Sequence, residues 1–171
     1  MNKNKGCVLW LTGLPASGKS TLAQEVSKVL ESKGLAVERL DGDEVRGVFP
    51  QTGFDRSSRN DHIRRMGFLA SKLEKHGVVV IASFISPFRE SRKDVRRMCQ
   101  NYYEIYLDTP LEICKLRDPK GLYRQAMEGK IADFTGVQSP YEAPQHPELV
   151  LDTSKLSVSQ ARDKILELLI V

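Results

Sequence analysis

Short apolar runs alternate with amphipathic stretches along most of the chain. The predicted strands cover residues 6–12, 35–40, 78–82, 102–107 and 149–151. The predicted helices run from about 21 to 33, over 55–76, from about 88 to 100 and over 157–169, and one more helix begins at residues 109–110. Strands and helices that alternate in this way predict an α/β fold, in which a parallel sheet carries helices on both faces. The run from Val78 to Ala82 is β-branched and continuous, which is typical of a central strand buried on both faces.

One segment departs from this alternation. Residues 117–147 combine charge, glycine and proline with little periodicity, and they are long for a connection. Irregular segments of this length in compact domains are usually functional lids or disordered stretches. The chain has 171 residues, the size of one ordinary domain. We therefore expect residues 1–171 to form a single domain with a lid region at about 117–147.

Composition and charge exclude several classes of protein. Apolar residues make up 40% of the chain, enough for a packed core, but no apolar run approaches the roughly 20 residues that a membrane span needs. The net charge of +4 is compatible with an anionic small substrate and is too mild to indicate nucleic-acid binding without a basic stripe. Cys7, Cys99 and Cys114 show no metal-binding spacing and read as reduced residues of a cytoplasmic protein.

A phosphate-binding pattern follows the first predicted strand. Residues 13–20 match GxxxxGK[ST] at every fixed position, and a strand precedes them and a helix follows, as the mechanism requires. Glycines let backbone N–H groups turn toward phosphates, and the helix N-terminus adds its dipole. Lys19 then reaches the β- and γ-phosphates of ATP, while the Ser20 hydroxyl binds Mg²⁺. The competing interpretation is a chance match in a glycine loop. The pattern favours a three-layer fold of the P-loop NTPase type.

Two aspartates follow the second predicted strand. Asp41 and Asp43 lie where a parallel sheet of this kind binds ligands. Their carboxylates could hold a metal through water, or orient and deprotonate an acceptor hydroxyl. The alternative is structural, with Asp43 capping a turn over residues 44–47.

Other candidates stay open on pattern alone. Arginine suits phosphate and sulfate recognition, but most arginines here, Arg92 and Arg96 among them, read as parts of solvated helix faces. Phe54 and Phe134 lie in polar loops that contain glycine, where an aromatic ring either pins the loop or stacks on a base. His62 is ambiguous.

Several longer blocks narrow the function. The chain resembles the adenylylsulfate (APS) kinase family from about Val8 to its end, most clearly at residues 41–46, 84–89, 118–123, 134–136, 140–144 and 147–149. This resemblance implies that the γ-phosphoryl group of MgATP passes to the ribose 3′-hydroxyl of APS, giving ADP and PAPS, the activated sulfate donor.

The resemblance also implies roles for individual residues. The implied catalytic residues are Lys19, Asp43, Lys120 and Ser86. The implied ATP site comprises Gly13, Leu14, Pro15, Ala16, Ser17, Gly18, Lys19, Ser20, Thr21 and Arg117, and the implied metal ligands are Ser20 and Asp43. The implied substrate site comprises Asp41, Arg46, Phe54, Arg59, His62, Ile63, Ile85, Ser86 and Phe134. In some members the serine at the position of Ser86 carries a phosphate.

The resemblance further implies a cytoplasmic homodimer that takes APS and ATP, with ATP sulfurylase as a candidate partner and with no nucleic acid or membrane. The family usually reads FSxxDRxxNIRR where this chain has residues 54–65, so Asp55, Ser58 and His62 depart from it. Pro15 and Ala16 also stand where Ser-Gly is common. Two alternatives remain: a kinase of the same fold that acts on another nucleotide-like acceptor, and a non-catalytic nucleotide-binding partner of a sulfate-activating enzyme.

Overall fold

The computed structural model describes residues 5–48 and 53–169. The strands are β1 (Cys7–Gly13), β2 (Val37–Asp41), β3 (Val79–Ser83), β4 (Tyr102–Leu107) and β5 (Leu149–Leu151). The helices are α1 (Lys19–Ser32), α2 (Gly42–Val48), α3 (Arg56–Lys75), α4 (Arg89–Met98), α5 (Leu111–Arg117), α6 (Leu122–Met127) and α7 (Val158–Glu167).

The five strands form one parallel sheet in the order β2-β3-β1-β4-β5. Strand β1 lies at its centre, where Leu9 pairs with Ile81 of β3 on one side and with Tyr103 of β4 on the other. The parallel sheet flanked by helices, predicted from the alternation of apolar runs, is confirmed.

The central strand separates two hydrophobic cores. Leu9 and Leu11 of β1 pack into a core that α1 and α7 cover, whereas Val8 and Trp10 pack into a core that α3 and α4 cover. Successive side chains of a strand point to opposite faces, so a strand buried on both faces must be apolar at every position. The continuous run from Cys7 to Leu11 meets this requirement.

Two short helices were not predicted. Helix α2 buries none of its side chains and contains Gly42 and Gly47, so no apolar stripe marks it. Helix α6 has six residues and lies inside the segment predicted to be irregular. Helix α1 begins two residues earlier than predicted, so that Lys19 and Ser20 belong to its first turn. Among the described residues, no helix is both long enough and apolar enough to cross a membrane.

The parallel arrangement gathers the carboxyl ends of all five strands at one edge of the sheet. The phosphate-binding pattern and residues 84–88 follow β1 and β3, while Asp41 ends β2 and Asp43 lies in the first turn of α2. Ligands of open α/β sheets bind at this edge, and the fold therefore brings the predicted site residues toward one place.

Candidate functional site

A cleft of about 850 Å³ opens at the carboxyl edge of the sheet. Small-molecule sites typically enclose about 300–1,000 Å³, so the volume suits one or more ligands of nucleotide class. Phosphate-loop residues line one half of the cleft. The other half is lined by residues of α2, α3, the loop after β3 and the segment 131–135. Most of the residues predicted for ATP and for substrate line this single cavity, although Gly13, Leu14 and Ser17 lie behind its surface.

The phosphate loop has the backbone shape that its sequence predicts. A Cβ atom added at Gly13 would lie 2.8 Å from the carbonyl oxygen of Leu107, so only glycine fits there. Gly18 and Ala16 both have positive φ, 97° and 60°, and Ala16 therefore adopts a conformation that favours glycine. The loop ends at the N-terminus of α1, whose free N–H groups and dipole favour an anion.

Lys19 is buried at the base of this loop. Its Nζ donates hydrogen bonds to the carbonyl oxygens of Gly13 at 3.0 Å and Leu14 at 2.6 Å, and to Ser17 Oγ at 3.3 Å. Burial lowers the pKa of Lys19 to about 8, against the opposing influence of Cys114 and the aspartates. The ammonium group is thus poorly hydrated, and an anionic phosphate beside it would favour its charged form.

A cluster of oxygen atoms lies beside the first turn of α1. Asp41 Oδ2 accepts hydrogen bonds from Ser20 Oγ at 2.6 Å and from Ser83 Oγ at 2.7 Å, and its Oδ1 accepts one from the Asp43 amide at 3.0 Å. Burial opposes ionisation of Asp41, but these three hydrogen bonds outweigh it and lower the pKa of the carboxyl group. The structure therefore joins Ser20 to Asp41, a hydroxyl and a carboxylate at the edge of the phosphate loop.

These oxygens fit the preference of Mg²⁺ for hard ligands. Among the described residues, no group of three or more His, Cys, Asp and Glu side chains could hold a metal ion. Mg²⁺ in kinases takes few protein ligands and completes its shell with water and phosphate oxygens, which agrees with this sparse set.

Asp43 lies in the first turn of α2, lines the cleft and forms an ion pair with Lys120, which also lines it. The Lys120 loop is shaped locally by Asp118, whose carboxylate accepts hydrogen bonds from the amides of Tyr123 and Arg124 at 3.1 Å each. The contact brings together two residues predicted to be catalytic that lie 77 positions apart in the chain.

The two predicted aromatic residues line the same half of the cleft. Phe54 is 59% exposed, and the guanidinium carbon of Arg46 lies 4.9 Å from its ring centroid. Phe134 packs edge-on against Tyr123, with the ring centroids 5.1 Å apart. The loops that carry both rings are joined by Arg59.

Arg59 is buried and acts as a clamp between these loops. Its Nε donates to the carbonyl oxygen of Phe54 at 2.5 Å, its Nη1 donates to Thr135 Oγ1 at 2.7 Å, and its Nη2 donates to the carbonyl oxygen of Asp133. Sequence analysis predicted this arginine only as a substrate contact. The structure adds that it positions the segments on which Phe54 and Phe134 lie.

Two of the three departures near Phe54 have a local explanation. Asp55 is the N-cap residue of α3, and its carboxylate accepts hydrogen bonds from the Ser58 amide at 3.0 Å and from Ser58 Oγ at 2.5 Å. Asp and Ser have exchanged the positions that the family pattern gives them, and either order satisfies the first turn of the helix. These substitutions therefore concern helix capping.

The third departure, His62, faces the cleft. The residue is 2% exposed and lines the cavity, and neither ring nitrogen has a hydrogen-bond partner among the described residues. Its ring packs edge-on against Phe84, with centroids 5.9 Å apart. Burial, together with the charges of Arg46 and Arg65, lowers the pKa of His62 to about 4, so the ring is neutral near pH 7 and offers one donor and one acceptor.

Ser86 lines the cleft at the turn that follows β3. Its hydroxyl is buried, accepts a hydrogen bond from Trp10 Nε1 at 3.1 Å and donates to Thr12 Oγ1 at 2.9 Å. Ser86 has a φ of 39°, Ala16 one of 60° and Asp133 one of 55°, which places these three residues in the left-handed region although none is a glycine. All three line the cleft. Backbone strain of this kind persists where surrounding structure enforces it, and it concentrates at functional sites.

Several residues of the site were not predicted. Thr153 Oγ1 donates to the Ser17 carbonyl at 2.9 Å and accepts a hydrogen bond from Arg117 Nη1 at 2.8 Å, which ties the predicted ATP-site arginine to the phosphate loop. The Tyr123 hydroxyl donates a hydrogen bond to the carbonyl oxygen of Pro15 at 3.1 Å. Thr153 directly follows the last predicted strand and its aspartate, and this position after a parallel strand was the available signal.

Comparisons with known proteins agree with this geometry. The family model described as adenylylsulphate kinase matches residues 5–152. An adenylyl-sulfate kinase of Synechococcus sp. (strain JA-3-3Ab) is 45% identical over 164 residues, which cover 95% of this chain and 93% of that protein. A probable adenylyl-sulfate kinase of Halalkalibacterium halodurans is 47% identical over 167 residues, 96% of this chain and 83% of that protein.

A solved structure supports the same relationship. The APS kinase of Mycobacterium tuberculosis in complex with AMPPNP and APS superposes with a TM-score of 0.94 at 37% sequence identity. The match covers 98% of this chain and 99% of that one.

Proposed function

This chain belongs to the adenylylsulphate kinase family, and we propose that it transfers the γ-phosphoryl group of ATP to the ribose 3′-hydroxyl of APS, giving ADP and PAPS. The observation that carries this proposal is the shared cleft, in which a phosphate loop and a second, aromatic and arginine-rich half face the same cavity. Phosphoryl transfer depends on positioning and charge neutralisation, and a cavity that holds donor and acceptor together supplies the first of these.

The phosphate loop and Lys19 hold the nucleotide in this proposal. Lys19 exchanges its carbonyl partners for the β- and γ-phosphates, and the N-terminus of α1 adds its dipole. Arg117, anchored on Thr153, lies at the ATP base. Ser20 and Asp41 fit Mg²⁺, with the hydroxyl as ligand and the carboxylate acting through water; when bound, the ion supplies charge neutralisation on the phosphates.

The opposite half of the cleft binds APS. Phe54 and Phe134 stack on the adenine, Ile63 and Ile85 line its pocket, and Arg46 and Arg59 contact the phosphosulfate group. Stacking on exposed rings such as Phe54 contributes to affinity because it removes apolar surface from water. His62 presents its unpartnered ring nitrogens to the acceptor, where they replace the amide of the family's usual asparagine.

Asp43 and Lys120 act at the reacting atoms. The Asp43 carboxylate accepts the hydrogen of the 3′-hydroxyl, and Lys120 neutralises charge on the transferred group. Sequence analysis also offered Asp43 as a metal ligand. We favour the hydroxyl role, because Asp41 already occupies the place beside Ser20 and Asp43 pairs with Lys120.

In this proposal, Ser86 has a structural role in the acceptor site. Its hydroxyl is 2% exposed and already accepts and donates a hydrogen bond. We therefore propose that it shapes the acceptor wall, and that phosphorylation of Ser86 requires the surrounding turn to open.

Other parts of the proposal concern the whole chain. We propose that residues 117–147 close over the bound nucleotides as a lid of a single domain, that the protein is a cytoplasmic homodimer, and that ATP sulfurylase is its partner. Light scattering of the purified chain tests the dimer, and co-purification with ATP sulfurylase from the same organism tests the partner.

Turnover with purified protein, MgATP and APS tests the reaction directly. ADP and PAPS are measured, with other adenine and cytosine nucleotides as competing acceptors. We expect APS-selective PAPS formation. ADP release only with another acceptor would show that the enzyme is a kinase with a different substrate. ATP binding without transfer to any acceptor would favour the alternative that the protein is a non-catalytic nucleotide-binding partner of a sulfate-activating enzyme.

Lys19→Ala tests the donor side. The variant should lose transfer, because no other described lysine lies buried in the phosphate loop. Lys28→Ala is the matched control, since Lys28 lies on the same helix and only pairs with Glu25 at the surface. Transfer at the wild-type rate by Lys19→Ala would contradict the site assignment.

Phe54→Ala tests the acceptor side. The variant should weaken APS binding more than ATP binding in calorimetry, by about tenfold for a lost stacking contact. Phe68→Ala is the control, because Phe68 is exposed to a similar degree, 57% against 59%, and does not line the cleft. An equal loss of affinity for both nucleotides would count against the stacking role.

His62 is tested by two replacements. His62→Asn keeps a donor and an acceptor and should retain APS turnover, whereas His62→Phe removes both and should raise the KM for APS while the KM for ATP stays unchanged. Equal KM values for APS in the two variants would show that His62 does not contact the acceptor.

A further inference from the structure

Arg92 is a buried arginine that the sequence pattern assigned to a solvated helix face. It lies on α4 and is 3% exposed. Its Nε donates to Glu104 Oε1 of β4 at 2.8 Å. Its two Nη atoms donate to the carbonyl oxygens of Ser86 and Glu142, at 2.5 Å each. One guanidinium group thus joins a helix, a strand, the turn after β3 and the C-terminal part of the proposed lid region.

The Ser86 turn is the part of the cleft that Arg92 contacts. Its φ of 39° is costly for a residue with a side chain, so surrounding contacts must enforce it. A charged donor on the Ser86 carbonyl is one such contact, and charge-assisted hydrogen bonds are roughly twice as strong as neutral ones. Arg92 itself does not line the cleft.

A chain of hydroxyl groups connects this turn to the central strand. Thr12 Oγ1 donates to the Ile85 carbonyl at 2.8 Å, and since a hydroxyl has one hydrogen, it must accept from Ser86 at 2.9 Å. It also accepts from Tyr141, whose hydroxyl lies 2.9 Å away. Burial raises the pKa of Tyr141 to about 12, so its hydroxyl keeps the proton that it donates.

Arg92 closes this network from the other side. Its guanidinium carbon lies 5.7 Å from the ring centroid of Tyr141, and its Nη2 holds the carbonyl of the next residue, Glu142. The Glu142 carboxylate in turn accepts from the Arg89 amide at 2.9 Å and from Arg56 at 3.1 Å. Residues 141–142, in the C-terminal part of the proposed lid region, are therefore held against the same turn.

We propose that Arg92 is a positioning residue for the acceptor site: it holds the Ser86 turn and residues 141–142 in one arrangement, and so sets where Ile85 and Ser86 meet APS. This inference rests on the proposed function. It assigns the buried ion pair with Glu104 a role in substrate geometry, whereas a purely structural ion pair would affect stability alone.

Arg92→Lys separates these roles, with Arg96→Lys as the matched control. Lysine keeps the charge beside Glu104, but its ammonium group cannot serve three acceptors that a planar guanidinium reaches. Arg96 lies one turn further along α4 and also contacts Glu104, at 3.4 Å, but its other partners are Glu148 and the ring of Tyr102, and it makes no contact with Ser86 or Glu142 among the described residues.

We expect Arg92→Lys to raise the KM for APS about tenfold, the effect of one lost hydrogen bond to a charged donor, and to leave the KM for ATP unchanged. Arg96→Lys should change neither KM. Trp10, the single tryptophan of the chain, donates to Ser86 Oγ, whereas Arg96 reaches it only through the ring of Tyr102, so the fluorescence emission of Trp10 should shift more in Arg92→Lys than in Arg96→Lys.

Two results would overturn the proposal. One is a loss of thermal stability in Arg92→Lys with both KM values at the wild-type level. The other is an identical kinetic and fluorescence profile for the two lysine variants. If Arg92→Lys does not fold, the neutral pair Arg92→Gln with Glu104→Gln replaces it, because this pair removes the carbonyl contacts without leaving a buried charge unpaired. The same selective rise in the KM for APS is expected.

A failure of the proposed function can be distinguished from a failure of the proposal for Arg92. A wild-type protein that forms no PAPS would refute the reaction, while the tryptophan emission of the Arg92 and Arg96 variants still decides whether Arg92 holds the Ser86 turn.

Discussion

The packing of α3 against α4 leads to a sharp prediction at Gly67. A Cβ atom added there would lie 2.5 Å from Val95 Cγ2 and 3.0 Å from both Val95 Cβ and Val95 Cγ1. Val95 is fully buried and cannot move aside without disturbing the core that contains Trp10 and Met66. The two helices matter for function, since α3 carries Arg59 and His62.

Two opposing effects decide the size of the change. Overpacking costs about 2 kcal/mol, and alanine is better than glycine in a helix by about 1 kcal/mol. Gly67→Ala should therefore lower the free energy of unfolding by about 1 kcal/mol, or the melting temperature by about 2–4 °C for a chain of this size.

A double-mutant cycle tests the cause of this loss. Val95→Ala removes two buried methyl groups and should cost about 1–3 kcal/mol. It also removes both Cγ atoms that the new Cβ would meet. The Cβ of residue 95 remains, 3.0 Å from the added Cβ, so Gly67→Ala should be close to neutral in the Val95→Ala protein, and most of its cost should disappear in that background.

Urea unfolding of the four proteins measures this cycle, and the slope of each transition checks that the denatured state is unchanged. Gly47→Ala is the control, because an added Cβ there meets no atom of the described residues within 4 Å. It should be neutral or stabilising. A loss of the same size for Gly67→Ala in both backgrounds would refute the steric explanation.

Three further predictions concern buried polar groups. The pKa of His62 is about 4 in the folded chain and 6.5 in the unfolded chain, so the unfolded chain binds the proton more readily. The free energy of unfolding should therefore fall as the pH drops from 6.5 to 4. An unchanged pH dependence in His62→Asn, measured by urea unfolding, would contradict this origin. Burial raises the pKa of the Cys7 and Cys99 thiols to about 12, so both should react slowly with a thiol reagent until the protein unfolds, and rapid labelling of the folded protein would be the opposite result. Thr12→Val leaves two hydroxyls without their acceptor and should cost about 2–4 kcal/mol, whereas Thr12→Ser should restore most of it; equal stability of the two variants would show that the hydroxyl network contributes little.

Hydrophobic patterning was sufficient to predict an element where its run of apolar residues was continuous. The run from Cys7 to Leu11 and the run from Val79 to Ala82 are apolar at every position, and both are central strands. The short helices α2 and α6 were missed because neither has an apolar stripe long enough to detect. Helix formation there depends on what precedes and follows, such as Asp118, whose carboxylate accepts from the first amides of α6.

The phosphate loop shows how much chemistry a local pattern can carry. Glycines, Lys19 and Ser20 at fixed spacing indicate nucleotide binding because the geometry that cradles a phosphate is local to one turn and one helix start. The contact between Ser20 and Asp41 could not be read in the same way, since the two residues belong to different strand–helix units.

The arginines show most clearly what the sequence pattern could not predict. Charge patterns place Arg59, Arg92 and Arg96 on helices alike, yet Arg59 clamps two loops, Arg92 is buried in a network and Arg96 is partly exposed on the surface. What distinguishes them is the set of partners that lies opposite. These include Thr135 for Arg59, Glu142 for Arg92 and Glu148 for Arg96, which are 76, 50 and 52 positions away in the chain.

The sequence by itself determined the α/β class, the parallel sheet, the nucleotide loop and, through its blocks of family resemblance, the reaction to expect. Each of these depends on hydrophobic period or on residues at short, fixed spacing. Only the tertiary structure decided that Asp41 meets Ser20, that Lys120 meets Asp43, and that Arg92 donates to the carbonyl oxygens of Ser86 and Glu142. These contacts join segments that become neighbours only when the parallel strands align at one edge, and no local pattern encodes that meeting.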